Sequence, residues 1–552
     1  STPKPSSAAS DVYKRQILAL LLALIIAGPL VALIGQTLLG SQPVELIRRL
    51  TTPTIMTSLG HSLMLGLGTI IGTTLIATPL AFIMTRTKLA QSTWLHWLLL
   101  VPFMTPPYIN AMGWIYFFQP HGLLAQIFPH STLNFNGLFS PFGIILIMSL
   151  HLYPFAYLLL RNALAQFNQR WTQAAIGHGV SRLGTLTRVT LPILLVAYLA
   201  MWVLVFTKTL AEFGTPATFG RGIHFEVLTT TIQKDLSQWP LDFKGGVLAG
   251  TILLSLALFA WVAQQLLLKQ PKIQMTHNQR PVINQRWGVT LGASLAVGCL
   301  LLVAIGIPYV SIIFQSLLKQ RSAGLATGNW TLEHYLNLLR FDSPAFKALI
   351  NTFGLAIVIS IANLVIGSLI GVASTTKRLP KSLRKVFHLL GSLPLAIPNV
   401  VLALSLMIFF SQLLAFTKLY GTISVLIIAD IILFLPTPVQ YMTTALQEFN
   451  DNFLNSARIF EASPSRIIFK IIIPVLMPAL VNSFAMSFIA TSRELVVALL
   501  LLPSGMTTIS SFIYQAFEQG DASQGMALAV ITVLITFIVL SISNSLLDKK
   551  LT

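Results

Sequence analysis

The sequence predicts an all-α polytopic membrane protein with about twelve transmembrane helices in two parallel six-helix repeats. Composition is the first reason. Hydrophobic residues make up 55% of the 552 positions and charged residues 9%, with a mean hydropathy of +0.78; soluble domains carry roughly 25% charged residues. Spacing is the second. Twelve apolar stretches approach the roughly 20 residues a helix needs to cross a hydrocarbon core. They lie near 17–38, 58–84, 95–118, 141–163, 192–216 and 245–268, then 288–316, 347–374, 386–412, 422–446, 475–501 and 524–547. The third is an internal match. QAAIGHGVSRLGTLTRVTLPIL, Gln173 to Leu194, overlies NSARIFEASPSRIIFKIIIPVL, Asn455 to Leu476, at an offset of 282 without a gap.

Taken in chain order, residues 1–16 (STPKPSSAASDVYKRQ) are polar, fit nothing that follows and resemble translated sequencing-adapter sequence. They read as a non-native segment standing where the native start is missing. The first apolar run is too long for a signal-peptide core and has no small-residue cleavage site, so it reads as an uncleaved helix. Residues 17–268 form the first repeat and 287–552 the second. Between them 269–286 (KQPKIQMTHNQRPVINQR) is a polar, basic cytoplasmic linker. The repeat extends beyond the loops: His61-Ser62-Leu63 matches Asn351-Thr352-Phe353 at offset 290, and VPFMTPPY matches LPLAIPNV at offset 292. Six spans separate the two loops, so both lie on one side of the membrane and the repeats are parallel, not inverted.

The formal charge is +19. Lys and Arg concentrate in the loops on the side of the two matched segments, as the positive-inside rule requires, which places those loops and both termini in the cytoplasm. No basic block with interleaved aromatics points to nucleic acid. The single cysteine, Cys299, forms no intrachain disulfide and reads as a buried small hydrophobe.

Each matched loop has an Ala-rich helical start, a turn near Gly179 or Glu461, a serine, basic residues (Arg182 and Arg188; Arg466 and Lys470) and then a proline. Pro192 and Pro474 suit the first turn of the next span, where a missing N–H costs nothing. Both loops resemble the EAA loop of binding-protein-dependent ABC importer permeases, roughly E-A-A-x-x-x-G-A-S before basic residues and L-P. The resemblance implies a type I importer fold and an ATPase-coupling surface at Gln173, Ala174, Ala175, Gly179 and Ser181, and again at Asn455, Ser456, Ala457, Glu461, Ala462 and Ser463. Three departures stand out: Gln173 and Asn455 replace the carboxylate, and Glu461 replaces glycine. Glutamate does not readily take a positive φ. The second loop is therefore expected to turn differently, and to tolerate side-chain change at 461 better than the first does at 179.

Ionisable residues in spans are costly and face a bundle interior or cavity. Lys208 and Glu212 are four apart and can pair on one helix face; Arg493 and Glu494 are adjacent, and Glu494 is Glu212 plus 282. Two readings stand: a gate or pathway lined by these four residues, or interfacial groups paired with basic neighbours and helix ends. Asp430, opposite Met148, is a lone polar position. Prolines 102, 106, 107, 394 and 398 break spans three and nine, either to line a pathway or as packing kinks. His61 and His151 lack ligand-spaced partners and read as hydrogen-bonded core histidines. No metal site is expected.

No G-x-x-x-x-G-K-[ST] loop or catalytic constellation occurs, so the chain is not an enzyme, carries no cofactor and draws energy from a partner or a gradient. The resemblance is closest to fused, two-repeat ferric iron importer permeases, through TLAEFGTPATFG, VLTTTI and SRELVVALLLLPSGMTTIS. It implies a bacterial inner-membrane location and two cytoplasmic ABC ATPase subunits, which bind the ATP. It also implies a periplasmic or lipid-anchored substrate-binding protein. Phosphonate (2-aminoethylphosphonate-like), polyamine, thiamine and sulfate permeases are alternatives within the class. A secondary transporter using Glu212, Glu494 and Asp430 as an ion relay is the rival from another class.

Overall fold

The computed structural model describes residues 5–40, 42–130, 135–166, 170–268, 287–376, 379–450, 452–520 and 522–551. The linker assigned to 269–286 lies outside them. In the first repeat the helices are α1 (Pro5–Leu39), α2 (Pro43–Leu50), α3 (Pro53–Arg86), α4 (Thr93–Met104), α5 (Pro107–Phe118), α6 (Leu123–Ile127), α7 (Pro141–Gln166), α8 (Arg170–Gly177), α9 (Arg182–Thr185), α10 (Leu191–Ala211), α11 (Gly214–Phe219), α12 (Leu228–Ser237) and α13 (Phe243–Leu268). The second runs α14 (Trp287–Leu301), α15 (Ile307–Ser316), α16 (Glu333–Asn337), α17 (Pro344–Thr375), α18 (Lys381–Ser392), α19 (Asn399–Ile408), α20 (Ile423–Phe434), α21 (Pro436–Glu448), α22 (Asn452–Ile459), α23 (Pro464–Ile467), α24 (Ile473–Ser492), α25 (Val496–Leu501), α26 (Ile509–Gln519) and α27 (Ala522–Leu551).

Among the described residues eight helices are long and apolar enough to cross a membrane, and three bent pairs bring the number to eleven. The remaining expected span is the broken pair α4 and α5. Proline sets these breaks. Pro106 and Pro107 separate α4 from α5, and at Ile397–Pro398 the chain turns by 110°.

Pro192 and Pro474 stand in the first turn of α10 and α24, as expected. Each helix nevertheless runs on unbroken from the segment before it, as Leu183–Ala211 and Ser465–Ser492. A proline ring clashes with the carbonyl four residues back. The helix widens instead into a π turn over Leu186–Thr190 and Ile468–Ile472, where Leu191 N–H bonds Leu186 O and Ile473 N–H bonds Ile468 O. Pro308 follows Leu302–Gly306 at the same spacing.

Two compact units form, and they do not follow the sequence repeats. One, the C-repeat unit, comprises Ser1–Leu46, Glu333–Gly520 and Leu528–Thr552; the other, the N-repeat unit, comprises Ile47–Leu332 and Asp521–Ala527. The first span of each repeat thus joins the unit built by the other repeat. In the C-repeat unit α1 packs on the α19 region, with Gly28 against the Phe409 ring. In the N-repeat unit α15 lies on α5. There Gly113 has no room for a Cβ, which would fall 2.6 Å from Pro308 O, and Thr105 and Tyr309 share a hydrogen bond. Cys299, expected to be buried, is exposed on α14, because that helix turns Ala293 and Val297 inward instead.

Close helix approach organises each core. A Cβ on Gly72 of α3 would meet Ser149 Oγ of α7 at 2.2 Å, and one on Gly367 of α17 would meet Pro438 of α21 at 2.7 Å.

Candidate functional site

In the first matched loop α8 ends in a Schellman turn. Val180 N–H bonds Ala175 O at 3.0 Å, Gly179 N–H bonds Ile176 O at 2.9 Å, and Gly179 has φ +81. No atom lies within 4 Å of the Cβ position at Gly179, so glycine is present for its backbone angle and not for packing. Ser181 then caps the next helix, its Oγ accepting from Gly184 N–H at 3.0 Å. Gln173 and Ala174 are exposed and Ala175 is half-buried.

The second loop repeats the six-residue bond and the serine cap. Ala462 N–H bonds Ala457 O at 3.0 Å and Ser463 Oγ accepts from Arg466 N–H at 3.4 Å. Ser456 and Glu461 are exposed, Ala462 is half-buried and Ala457 is 8% exposed; the Asn455 side chain lies outside the description. The expectation of a different turn is overturned: Glu461 has φ +50, the left-handed region Gly179 occupies. Helix termination here demands that conformation, and the six-residue hydrogen bond holds glutamate in it at about 1–2 kcal/mol. Glu461→Gly should therefore raise stability by about 1 kcal/mol, read as a higher melting temperature in detergent; an unchanged or lower one would contradict the strain.

One pair of loop residues escaped the sequence reading. Trp171 and Phe453 are 58% and 54% exposed, and they too are related by 282. The shared offset was the available signal.

The two glutamates lie at chain breaks, not on helix faces. Helix α10 ends at Ala211, and Glu212 is its extended C-cap with ψ 128, so Lys208 and Glu212 do not share one helix face. Glu212 Oε1 accepts from Thr215 N–H at 3.2 Å, capping α11, and Lys208 lies over the Phe155 ring at 5.7 Å. Helix α24 ends at Ser492, with Arg493 its half-buried C-cap. Glu494 is buried. Its Oε1 accepts from Val496 N–H (3.0 Å) and Asn399 Nδ2 (3.1 Å), and its Oε2 from Val497 N–H (2.9 Å) and Ala498 N–H (3.3 Å). A carboxylate at a helix N-terminus meets orphan donors and the positive end of the dipole. Thr215 and Val497 are 282 apart, so the motif is duplicated, but the amide is not: Pro107 occupies the position of Asn399. Asp430, expected to be isolated, is buried on α20 within electrostatic reach of Glu494.

The His61-Ser62 match is also a shared task. His61 Nδ1 pairs with Glu226 O at 2.8 Å and Ser62 Oγ accepts from Leu228 N–H at 2.9 Å, holding the start of α12. Asn351 Nδ2 donates to Thr507 O at 2.9 Å and Thr352 Oγ1 accepts from Ile509 N–H at 2.8 Å, holding α26. His61 is therefore a hydrogen-bonded core residue, as expected; His151 is buried.

Beyond α12, Asp242 pairs with Arg49 at 3.2 Å and caps α13 through Gly245 N–H. Burial, and next the neighbouring Asp242, push the Asp235 carboxyl up to about 6. A carboxyl raised in the folded state binds more protons folded than unfolded, so its contribution favours folding at low pH and is lost as pH rises through about 6. Melting temperature should fall between pH 4 and 6 through this group, and Asp235→Asn should flatten that part of the profile; an unaltered profile would contradict the assignment.

These features define a class. Residues 77–272 and 363–552, more than two thirds of the chain, match the family of binding-protein-dependent transport system inner membrane components, and the chain belongs to that family. It is a multi-pass inner-membrane transport permease, not an enzyme. A ferric transport system permease protein of Actinobacillus pleuropneumoniae is 22% identical over 89% of this chain and 71% of that protein. The Fe(3+)-transport system permease protein 2 of Haemophilus influenzae is 22% identical over 90% of each. A 2-aminoethylphosphonate transport system permease protein of Salmonella typhi is 26% identical over 45% of this chain and 92% of its own length.

Proposed function

We propose that the chain forms the whole transmembrane pathway of an ATP-driven importer for ferric iron. Two cytoplasmic ATPase subunits dock on the loops around Gly179 and Glu461. A periplasmic or lipid-anchored binding protein delivers cargo to the opposite face. Both termini are cytoplasmic, ATP is bound by the partner, and the chain itself carries no cofactor and contacts no nucleic acid. ATP-driven closure draws the loops together and opens the pathway outward; hydrolysis resets it. Lys208 and Glu212, at the break that ends α10, and Arg493 and Glu494, at the break that ends α24, each serve the translocation pathway or its gate.

The observation that carries this reading is the duplicated turn. A glutamate at φ +50 repeats the geometry of a glycine, which is how a surface with one binding partner in two copies would be preserved. Iron is favoured over phosphonate as cargo because the ferric relatives align along about nine tenths of the chain and the phosphonate relative along 45%. Uptake of radiolabelled ferric iron by vesicles holding permease, ATPase and binding protein tests it. Uptake should require ATP and survive an uncoupler. Uptake that persists without the ATPase and collapses with the uncoupler would overturn the importer reading, and uptake of 2-aminoethylphosphonate instead would overturn the cargo.

A further inference from the structure

The C-repeat unit holds a cavity of about 790 Å³ between α21 and α24, within the size range of small-molecule sites. One wall is a polar stripe on α21: Thr437, Gln440, Tyr441, Thr444 and Glu448, spaced to lie on one helix face. Asn482 of α24 faces it, and the rest of the lining is apolar. Gln440, Tyr441, Thr444 and Glu448 are exposed, although α20 and α21 together make a membrane span. Polar side chains on such a span face water or a solute rather than lipid. Among the described residues Glu448 is the only charged one in the lining.

The carboxylate and most of the stripe belong to one repeat alone: Asn162 and Gln166 stand for Thr444 and Glu448, so two polar positions are shared but the charge is not. At the positions 282 earlier stand Phe155 for Thr437, Leu158 for Gln440, Leu159 for Tyr441 and Ala200 for Asn482. The helices that wall the cavity are also the two that bracket the second matched loop. Helix α21 ends at Glu448 and α22 begins at Asn452; α24 continues from the π turn beyond α23.

We propose that this cavity is a binding site for a small hydrophilic cation on its way through the permease, furnished by the second repeat only. The hydroxyl, phenol and amide groups replace part of the cation's hydration, and Glu448 excludes anions. That the bound cation is the cargo rests on the importer reading; the charge preference of the cavity does not. Because the walls flank the coupling loop, drawing that loop inward changes the cavity.

The native cysteine allows a direct test. In a Cys299→Ser background, Thr444→Cys or, should that fail to fold, Gln440→Cys places a thiol in the cavity. Its rates with cationic and anionic methanethiosulfonates, each normalised to a free thiol, are measured in vesicles together with ATPase and binding protein. One charge about 7 Å away in water-like surroundings alters a rate roughly threefold, so the cationic-to-anionic ratio should be near tenfold and should fall toward one with Glu448→Gln. Hexaamminecobalt(III) should protect the thiol and methylphosphonate should not. Asn162→Cys, the matching position of the first repeat, should show neither effect. A ratio untouched by Glu448→Gln, equal protection by methylphosphonate, or a thiol unreactive in vesicles yet reactive in detergent (a lipid-filled cavity) would each overturn the proposal. A cation-selective cavity in vesicles that import nothing with ATP would instead leave the site standing and remove the importer reading.

Discussion

Gly179→Val cuts transport by at least about tenfold while the permease still reaches the membrane and purifies as a folded protein. The Cβ added there meets no atom, so packing does not suffer. The cost is conformational: φ +81 is a genuine outlier for a β-branched residue, at about 1–2 kcal/mol or more, and each 1.4 kcal/mol depopulates the docked turn about tenfold. Transport should fall together with recovery of the ATPase in pull-downs. Unchanged transport would remove the docking role from the first loop. Valine at 461 should do far less harm than valine at 179, since the second turn already accommodates a side chain.

Glu494→Ala should give the largest loss of stability of any single substitution considered. It deprives Val496, Val497 and Ala498 N–H and the Asn399 amide of their acceptor inside the C-repeat unit. Each buried donor left unsatisfied costs about 1–3 kcal/mol, so a total beyond about 3 kcal/mol is expected even with partial relaxation. Folded yield and melting temperature in detergent are the readouts. Glu212→Ala, which takes the acceptor from Thr215 N–H at a half-buried site, should cost less, about 1 kcal/mol for that cap. Equal losses at the two positions would contradict the asymmetry between the repeats.

Most of the fold was legible because bilayer thickness imposes a length on every span and parity imposes a side. The broken spans were legible through their prolines. What the sequence could not convey was anything decided by approach between distant segments: that α1 and α14 each leave their own repeat, or that Cys299 points outward. The first-turn prolines at 192 and 474 were legible, but not the π turns that join each to the helix before it, a choice made by the helix on both sides. Glu461 was misread for a related reason: propensity sees the cost of a left-handed glutamate, whereas the hydrogen bond from Ala462 to Ala457 decides it. For the glutamates, the 282-residue offset located the pair but not the capping task, which appears only when α10 and α24 stop at them.

Native mass measurement of the purified complex tests the central claim most directly. Two docking loops on one chain predict one permease with two ATPase subunits, dropping to one and one when Gly179→Val disables the first loop. A wild-type complex with a single ATPase, or a stoichiometry indifferent to both loops, would contradict the account.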